Sequence, residues 1–327
     1  MRYGLVLGQG RSGTNWMVDT LDASPKTFCR NEPNEASHSA MHRLPNHWLI
    51  GSHGDELEAL WDEVAYETAI RMGERDHRIN HPKTYVYPWA QRIGLAQASA
   101  RPKIRAVVAK ARRSWAGGEW PMPRWVGPGP DSDLDTVAIF KLVQTYNWAA
   151  WLLEHRPDVP VVHVVRHPCG RHDSFLRRFI DDGDPEPTRW AKVAQLTQLV
   201  AAEPEWAERI GDPTNLDLAE AETWFGVYQS ETLEAVGQSN PNYLRIVYEH
   251  MVVDPLAAAA GVFDLLGLEL SDDIGGRIEA DAQTSVFGSV ATEASSQTDG
   301  WRARLDADVA ARIEMILATS PIAAWWA

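Results

Sequence analysis

The segment Gly8-Gln-Gly-Arg-Ser-Gly-Thr-Asn-Trp16 is the part of this sequence best equipped for chemistry. It directly follows a short apolar run, Tyr3–Leu7, so its glycines stand between an expected strand and the start of an expected helix. Such a turn aims several backbone N–H groups at one point, and the helix dipole adds about half a positive charge there. The chemistry is anion binding, of a phosphate or a sulfate. The nearest alternative is the nucleotide-triphosphatase loop, Gly-x-x-x-x-Gly-Lys-Ser/Thr. Counted from Gly8 to Gly13, its lysine position holds Thr14, so that pattern is broken where it grips terminal phosphates. A strand–helix turn whose glycines only permit close packing is the plainer alternative.

A second segment complements the first. The run Val161–Val165 ends in Arg166-His-Pro-Cys-Gly-Arg-His-Asp-Ser174. An arginine at the carboxyl end of a parallel strand, beside the first strand, lies where open α/β sheets bind ligands. Its planar fork suits a phosphate. Ser174 falls two turns into the following helix, where its hydroxyl can join the same oxyanion. With Arg171, Arg177 and Arg178 nearby, a helix start with solvated charges is the alternative. No His/Cys/Asp cluster has metal-ligand spacing, so no metal is expected.

The elements that must position these residues can be read from pattern. Tyr3–Leu7, Thr27–Arg30, Thr136–Phe140, Val161–Val165 and Tyr243–Tyr248 are short, nearly continuous apolar runs. They predict about five strands of a mainly parallel, doubly wound α/β sheet covered by helices on both faces. Trp148, Trp151 and Leu152 give one amphipathic helical face, and Asp254-Pro255 reads as an N-cap with Pro at N1. Two large insertions, 33–135 and 182–240, interrupt a single expected domain spanning 1–327. The first contains an expected helix, Asp55–Met72, a basic stretch, Arg101–Arg113, and a Gly/Pro/Trp-rich loop, Ala116–Pro130. It is expected to cover the substrate site. The second is expected to be mostly helical and polar.

Composition narrows the class. The 327 residues include 31 Lys+Arg against 45 Asp+Glu, a net charge of −14 that argues against holding nucleic acid by bulk charge. A hydrophobic content of 44% excludes a disordered chain. No window approaches the roughly 18 apolar residues of a membrane span; the richest, Leu256–Leu268, is interrupted by Asp264. No signal-peptide pattern precedes the glycine turn. Cys29 and Cys169 cannot build a disulfide framework, and a cytoplasmic protein is expected. A homo-oligomer stays open.

Together the two segments resemble the sulfotransferases that take a sulfuryl group from 3′-phosphoadenosine 5′-phosphosulfate (PAPS) and release 3′-phosphoadenosine 5′-phosphate (PAP). Arg11-Ser-Gly-Thr-Asn-Trp16 is similar to that family's 5′-phosphosulfate loop, Lys/Arg-Ser-Gly-Thr-Thr-Trp/Leu. Arg166 and Ser174 have the spacing of its 3′-phosphate motif. Arg245-Ile-Val-Tyr-Glu-His-Met-Val-Val-Asp-Pro255 looks like its Tyr-Glu-Asp…Asp-Pro segment, and Phe263-Asp-Leu-Leu-Gly-Leu268 follows as it does there. Gly300-Trp301-Arg302 resembles its Gly-x-Trp turn. These matches run in family order, whereas residues 33–135 match nothing in the pattern.

The resemblance implies a sheet related to nucleotide kinases and a role for each matching residue. Arg11 would bind the phosphosulfate and stabilise charge on the leaving phosphate. Gly10, Ser12, Gly13, Thr14 and Asn15 would form the donor loop, and Trp16 would stack on adenine, unless it is a buried helix-face aromatic. Arg166 and Ser174 would hold the 3′-phosphate, and Tyr248 would touch the adenine. The cytosolic branch has an Arg-Lys-Gly segment before the Gly-x-Trp turn; here Ala294-Ser-Ser-Gln297 occupies that region, leaving Arg302 or Arg304 to supply the third cation.

Sulfuryl transfer, like phosphoryl transfer, is in-line displacement driven by positioning and charge stabilisation, and a base must take the acceptor's proton. The cytosolic branch places a His two residues after a Lys at the end of the third strand. Lys141 fits that Lys, but Val143 stands at the His position. Members acting on glycans and other hydroxyl acceptors carry a Glu just after the second strand. Glu32 matches it and is the expected base, with Glu35 and His38 as substitutes, while Lys141 would contact the bridging oxygen or the sulfuryl group. A hydroxyl acceptor is implied, either a glycan or a small molecule. Trp115, Trp120 and Trp125 could stack on it or merely anchor their loop. A kinase or nucleotide-triphosphatase on the same sheet, and a non-catalytic nucleotide-binding module, are the competing readings.

Overall fold

A computed structural model describes residues 1–35, 39–44, 49–70, 83–85, 135–180, 184–283 and 298–327. Five strands form one sheet: β1 (Arg2–Gly8), β2 (Thr27–Asn31), β3 (Val137–Val143), β4 (Val161–Val165) and β5 (Tyr243–Val247). Their order is β2-β3-β1-β4-β5, and all four pairings are parallel. Every expected strand is present. The third runs on to Val143, because Leu142 and Val143 continue the ladder against Leu7 and Gly8. Lys141 therefore lies inside β3 rather than at its end.

Helices cover both faces, as near-continuous apolar strands require. On one face α1 (Thr14–Asp22), α9 (Pro255–Leu265) and α10 (Asp272–Gln283) pack Met17, Leu21, Phe263 and Ile278 over Val6, Ile139 and Val164. Asp254 caps α9 by accepting the Ala257 N–H, with Pro255 at N1, as the sequence predicts. On the other face α2 (Gly54–Ile70) and α3 (Tyr146–His155) bury Trp61, Trp148 and Leu152. Expected to be amphipathic, α3 is instead buried from Tyr146 to Leu153, because α2 and a long helix described next enclose it.

The chain between β4 and β5 forms α4 (Pro168–Phe175), a π-turn at Leu176–Ile180, α5 (Glu186–Ala202), α6 (Pro204–Ile210) and α7 (Leu218–Gly237). After β5 come α8 (Tyr248–Val253) and, near the far end, α11 (Ala307–Ala318). The expected helical character of 182–240 is present, but the expected polarity is not. Leu196, Trp206, Trp224 and Phe225 build a separate core with Ile316 and Leu317.

Two buried polar features brace the sheet. His163 on β4 accepts the Tyr146 hydroxyl at 3.2 Å through Nε2 and donates to Tyr243 Oη at 2.9 Å through Nδ1. Tyr243 in turn donates to Glu234 at 2.8 Å, and Glu234 pairs with Arg245. Burial, with Arg245 adding to it, pushes the His163 pKa down to about 3, so the ring is neutral. At the amino-terminal edge Lys83, 4% exposed, pairs with Asp22 at 3.0 Å, and Tyr85 donates to the Thr27 carbonyl at 2.8 Å. These residues of the first insertion are thus pinned to the sheet edge opposite the glycine loop.

Candidate functional site

The strand order creates a crevice. From the adjacent ends of β1 and β4 the chain leaves in opposite directions, toward β2 and toward β5, and open α/β sheets bind ligands at such a divergence. Gly8 ends β1 there, and a Cβ on it would stand 2.4 Å from Ser12 Oγ and 2.5 Å from the Val164 carbonyl oxygen. Only glycine fits. Gly13 has φ 100°, and a Cβ on it would meet the Tyr248 ring at 2.6 Å. Gly10 is not forced by crowding, since a Cβ would meet only Val143, at 4.0 Å. No side chain caps the start of α1. Ser12 is 1% exposed, and its hydroxyl has no hydrogen-bond partner among the described residues. A buried hydroxyl of this kind calls for a ligand or water.

Cations converge on this loop. Arg166 leaves the end of β4, donates from Nη1 to the Arg11 carbonyl at 3.1 Å, and lies 4.3 Å over the Tyr248 ring. Arg11, at φ 75°, donates from Nε to Ser174 Oγ at 3.0 Å. Burial lowers the Arg11 pKa, and Arg166, Arg178 and Arg177 lower it further. Burial also lowers that of Arg166. Both guanidiniums are therefore less comfortable as cations than in water, and an anion between them would restore the balance. Arg11, Ser12, Gly13, Arg166, Ser174 and Tyr248 form one connected group.

Glu32, just past β2, and Lys141, on β3, form a second group. Asn31 pairs with Lys141 in the ladder, and the Glu32 N–H donates to the Lys141 carbonyl at 2.7 Å. Glu32 then takes φ 51°, which turns its side chain back so that Oε1 meets Lys141 Nζ at 2.5 Å. The Lys141 side chain is 3% exposed and that of Glu32 23%, so the cation is buried and the carboxylate is partly open. Gln144, just past β3, has φ 62°. Three non-glycine residues in the left-handed region thus stand beyond three neighbouring strand ends, a concentration of strain typical of functional edges.

The remaining expected residues are placed as follows. Thr14 is buried and opens α1, Asn15 is half-buried beside it, and Trp16 is half-buried against the core on the α1 face. Glu35 is exposed in a 3-10 turn and accepts from Asn34 at 3.2 Å. Arg302 is mostly exposed, stacked on Trp301 at 4.4 Å and bonded to Asp299 at 3.3 Å. Arg304 is engaged by Asp173, at 2.8 Å, beside Ser174. His38, Arg101–Arg113, Trp115, Trp120, Trp125 and Ala294–Gln297 lie outside the described residues.

Sequence pattern missed several neighbours. Gln9 donates to Gln229 at 3.3 Å and lies against Gly226, tying the loop to α7. Buried Glu222 binds His172 Nδ1 at 2.8 Å and Arg171 at 3.4 Å, joining α7 to α4. Burial raises its pKa, yet Arg171, His172 and Lys192 together lower it below the usual carboxylate range. Gln9, Arg171, Glu222 and Gly226, with Ser12, Arg166 and Trp326, line a cavity at the divergence of β1 and β4. One further group, His167, Cys169 and Glu314, brings metal-ligating atoms within 4.8 Å of one another. His167 Nδ1 already accepts the Cys169 N–H at 3.3 Å, so its ring proton sits on Nε2, toward Glu314 at 3.4 Å. That pattern is a helix cap.

Fold and site define a doubly wound α/β protein whose strand-end crevice gathers arginines around a glycine turn. The model of the Sulfotransferase family matches residues 5–272, and the chain belongs to that family. It is a transferase that moves a sulfuryl group to an acceptor. Solved structures similar to it include the sulfotransferase domain of the olefin synthase of Synechococcus PCC 7002, 16% identical over 96% of this chain and 93% of that one, TM-score 0.42. A mouse sulfotransferase complexed with PAP is 11% identical over 98% and 84%, TM-score 0.44. A sulfotransferase of Alicyclobacillus acidocaldarius is 12% identical over 100% and 98%, TM-score 0.38. No match was found among curated proteins.

Proposed function

We propose that the protein transfers the sulfuryl group of PAPS to a hydroxyl acceptor, in the cytoplasm. The carrying observation is the convergence of two strand ends: Arg166 reaches the Arg11 carbonyl at 3.1 Å while Arg11 reaches Ser174 at 3.0 Å. The orphaned Ser12 hydroxyl, the start of α1 without a side-chain cap and two neighbouring arginines whose pKa values are lowered by desolvation support an anionic ligand at this crevice. When bound, PAPS supplies an activated sulfuryl group on a phosphate that leaves as an anion.

The chain's own residues do the rest. Arg11 binds the phosphosulfate and stabilises charge on the leaving phosphate, with Ser12, Gly13, Thr14 and Asn15 as donors and Gly10 completing the turn. Arg166 and Ser174 hold the 3′-phosphate; Tyr248 and Trp16 flank the adenine. Glu32 takes the acceptor's proton, and Lys141, paired with it at 2.5 Å, orients it and contacts the bridging oxygen or the sulfuryl group. Arg302 is the outer cation, since its bond to Asp299 at 3.3 Å is open to solvent whereas buried Asp173 holds Arg304 at 2.8 Å. Side-chain cations and backbone N–H groups suffice for a sulfuryl group, without a metal. Two free buried cysteines support a reducing compartment. Most of the cover expected over residues 33–135 lies outside the described residues; within it, Lys83 and Tyr85 are anchored at the sheet edge.

The test is calorimetric titration with PAP against ADP and ATP. PAP binds at least about tenfold tighter than ADP, and Arg166→Ala lowers PAP affinity by about 10–100-fold, as loss of charge-assisted hydrogen bonds implies. Equal affinity for PAP and ADP, or metal-dependent ATP hydrolysis, overturns the reading in favour of a nucleotide-triphosphatase.

A further inference from the structure

We infer that Glu249 and Trp326 are positioning residues for Arg166, and through it for recognition of the donor's 3′-phosphate. This rests on the PAPS reading above. Arg166 is the first residue beyond β4, so no strand ladder fixes its backbone. The peptide that follows it does. The N–H of His167 donates to Glu249 Oε1 at 3.1 Å. That N–H shares a rigid plane with the Arg166 carbonyl, so the bond sets the direction in which Arg166 leaves the sheet.

The other oxygen of the same carboxylate, Oε2, accepts the Trp326 indole N–H at 2.8 Å. Each oxygen thus takes one neutral N–H, from two segments far apart in sequence. Glu249 also follows Tyr248, whose ring supports the Arg166 guanidinium at 4.3 Å and packs against Gly13. One short turn therefore holds Arg166 at its side chain and at its backbone. Trp326 completes the clamp by standing edge-on to the His167 ring at 5.4 Å, while Trp301 stacks on that ring at 5.3 Å. His167 in turn caps α4, the helix that carries Ser174. The indole also lines the cavity shared by Ser12 and Arg166.

The two bonds need a carboxylate. In Glu249→Gln the amide offers one acceptor oxygen for two N–H donors, so either His167 or Trp326 is left facing an NH2 group. In Trp326→Phe a ring still packs on His167 but its N–H is gone. Both oxygens of Glu249 are taken by protein N–H groups, so the carboxylate acts on the donor through Arg166.

Calorimetry with PAP and ADP on the full chain reads the effect, because ADP lacks the 3′-phosphate and makes no use of Arg166 there. Thermal melts of both variants check that each is folded. PAP affinity falls by about three- to tenfold in each variant, as the loss of one hydrogen bond implies, while ADP affinity stays within about twofold. The preference for PAP therefore shrinks. A preference unchanged in both folded variants overturns the inference and leaves the donor reading standing. Equal weakening of PAP and ADP assigns the pair a general structural role and also overturns it. Absence of any preference in the unmodified protein sinks the donor reading, and the inference with it.

Discussion

Glu32 and Lys141 are 109 positions apart in sequence, and their pairing at 2.5 Å is invisible there. Resemblance supplied both residue types, but only the register of β2 against β3 brings them together. Glu32→Gln lowers turnover by about 100-fold or more, the usual contribution of a general base, while PAP titration changes little. Unchanged turnover removes Glu32 from the mechanism. Glu32→Ala behaves differently, because it removes the carboxylate that the nearly buried Lys141 ammonium meets at 2.5 Å. It destabilises the fold by about 3 kcal/mol, readable as a lower denaturation midpoint, whereas the Gln variant retains a partner oxygen. Other site residues could not be read from pattern at all. Glu249 stands inside a segment already singled out, yet nothing in the sequence pairs it with Trp326.

At the level of elements, strands were the most legible, since runs such as Val161–Val165 are nearly continuous in valine and end abruptly at Arg166. Helix surroundings were less so, because enclosure by α2 and α7 decides the burial of α3. The cap of α4 shows why one histidine matters. His167 accepts the Cys169 N–H only while its ring is neutral, and burial, reinforced by Arg302, lowers its pKa from the ordinary 6.5 to about 4. His163, inside β4, is lowered to about 3. Unfolding therefore takes up a proton at each ring below pH 6.5. Stability from these rings is fully present above about pH 6.5 and is lost as pH falls, through about 4 for His167 and about 3 for His163. His167 alone contributes on the order of 3 kcal/mol. Denaturant midpoints measured from pH 7 to 4 should fall steadily, and His167→Asn, which can still cap, should flatten the slope. An identical slope in that variant would exclude the cap as its source.

For the molecule as a whole, composition indicated an acidic protein at −14, and no helix among the described residues is long and apolar enough to cross a membrane. Composition could not reveal that Arg11, Arg166, Arg177 and Arg178 crowd one strand-end crevice against that acidic background. The second insertion was legible as helical. Its private core was not, because Ile316, Leu317 and Ile322, which complete the cluster around Trp206 and Phe225, come from α11 and the segment after it, far along the chain. The crowding at Arg11 has a consequence for how robust the empty protein is. Its backbone sits where side chains cost about 1–2 kcal/mol, and its charge faces three others of the same sign. Arg11→Gly should therefore melt at a higher temperature than the unmodified protein, by a few degrees, and should gain far less from added PAP. If it melts lower, the strain was never there. If it melts higher, this enzyme is a tensioned object that relaxes only when occupied, with durability and usefulness set against each other at a single residue.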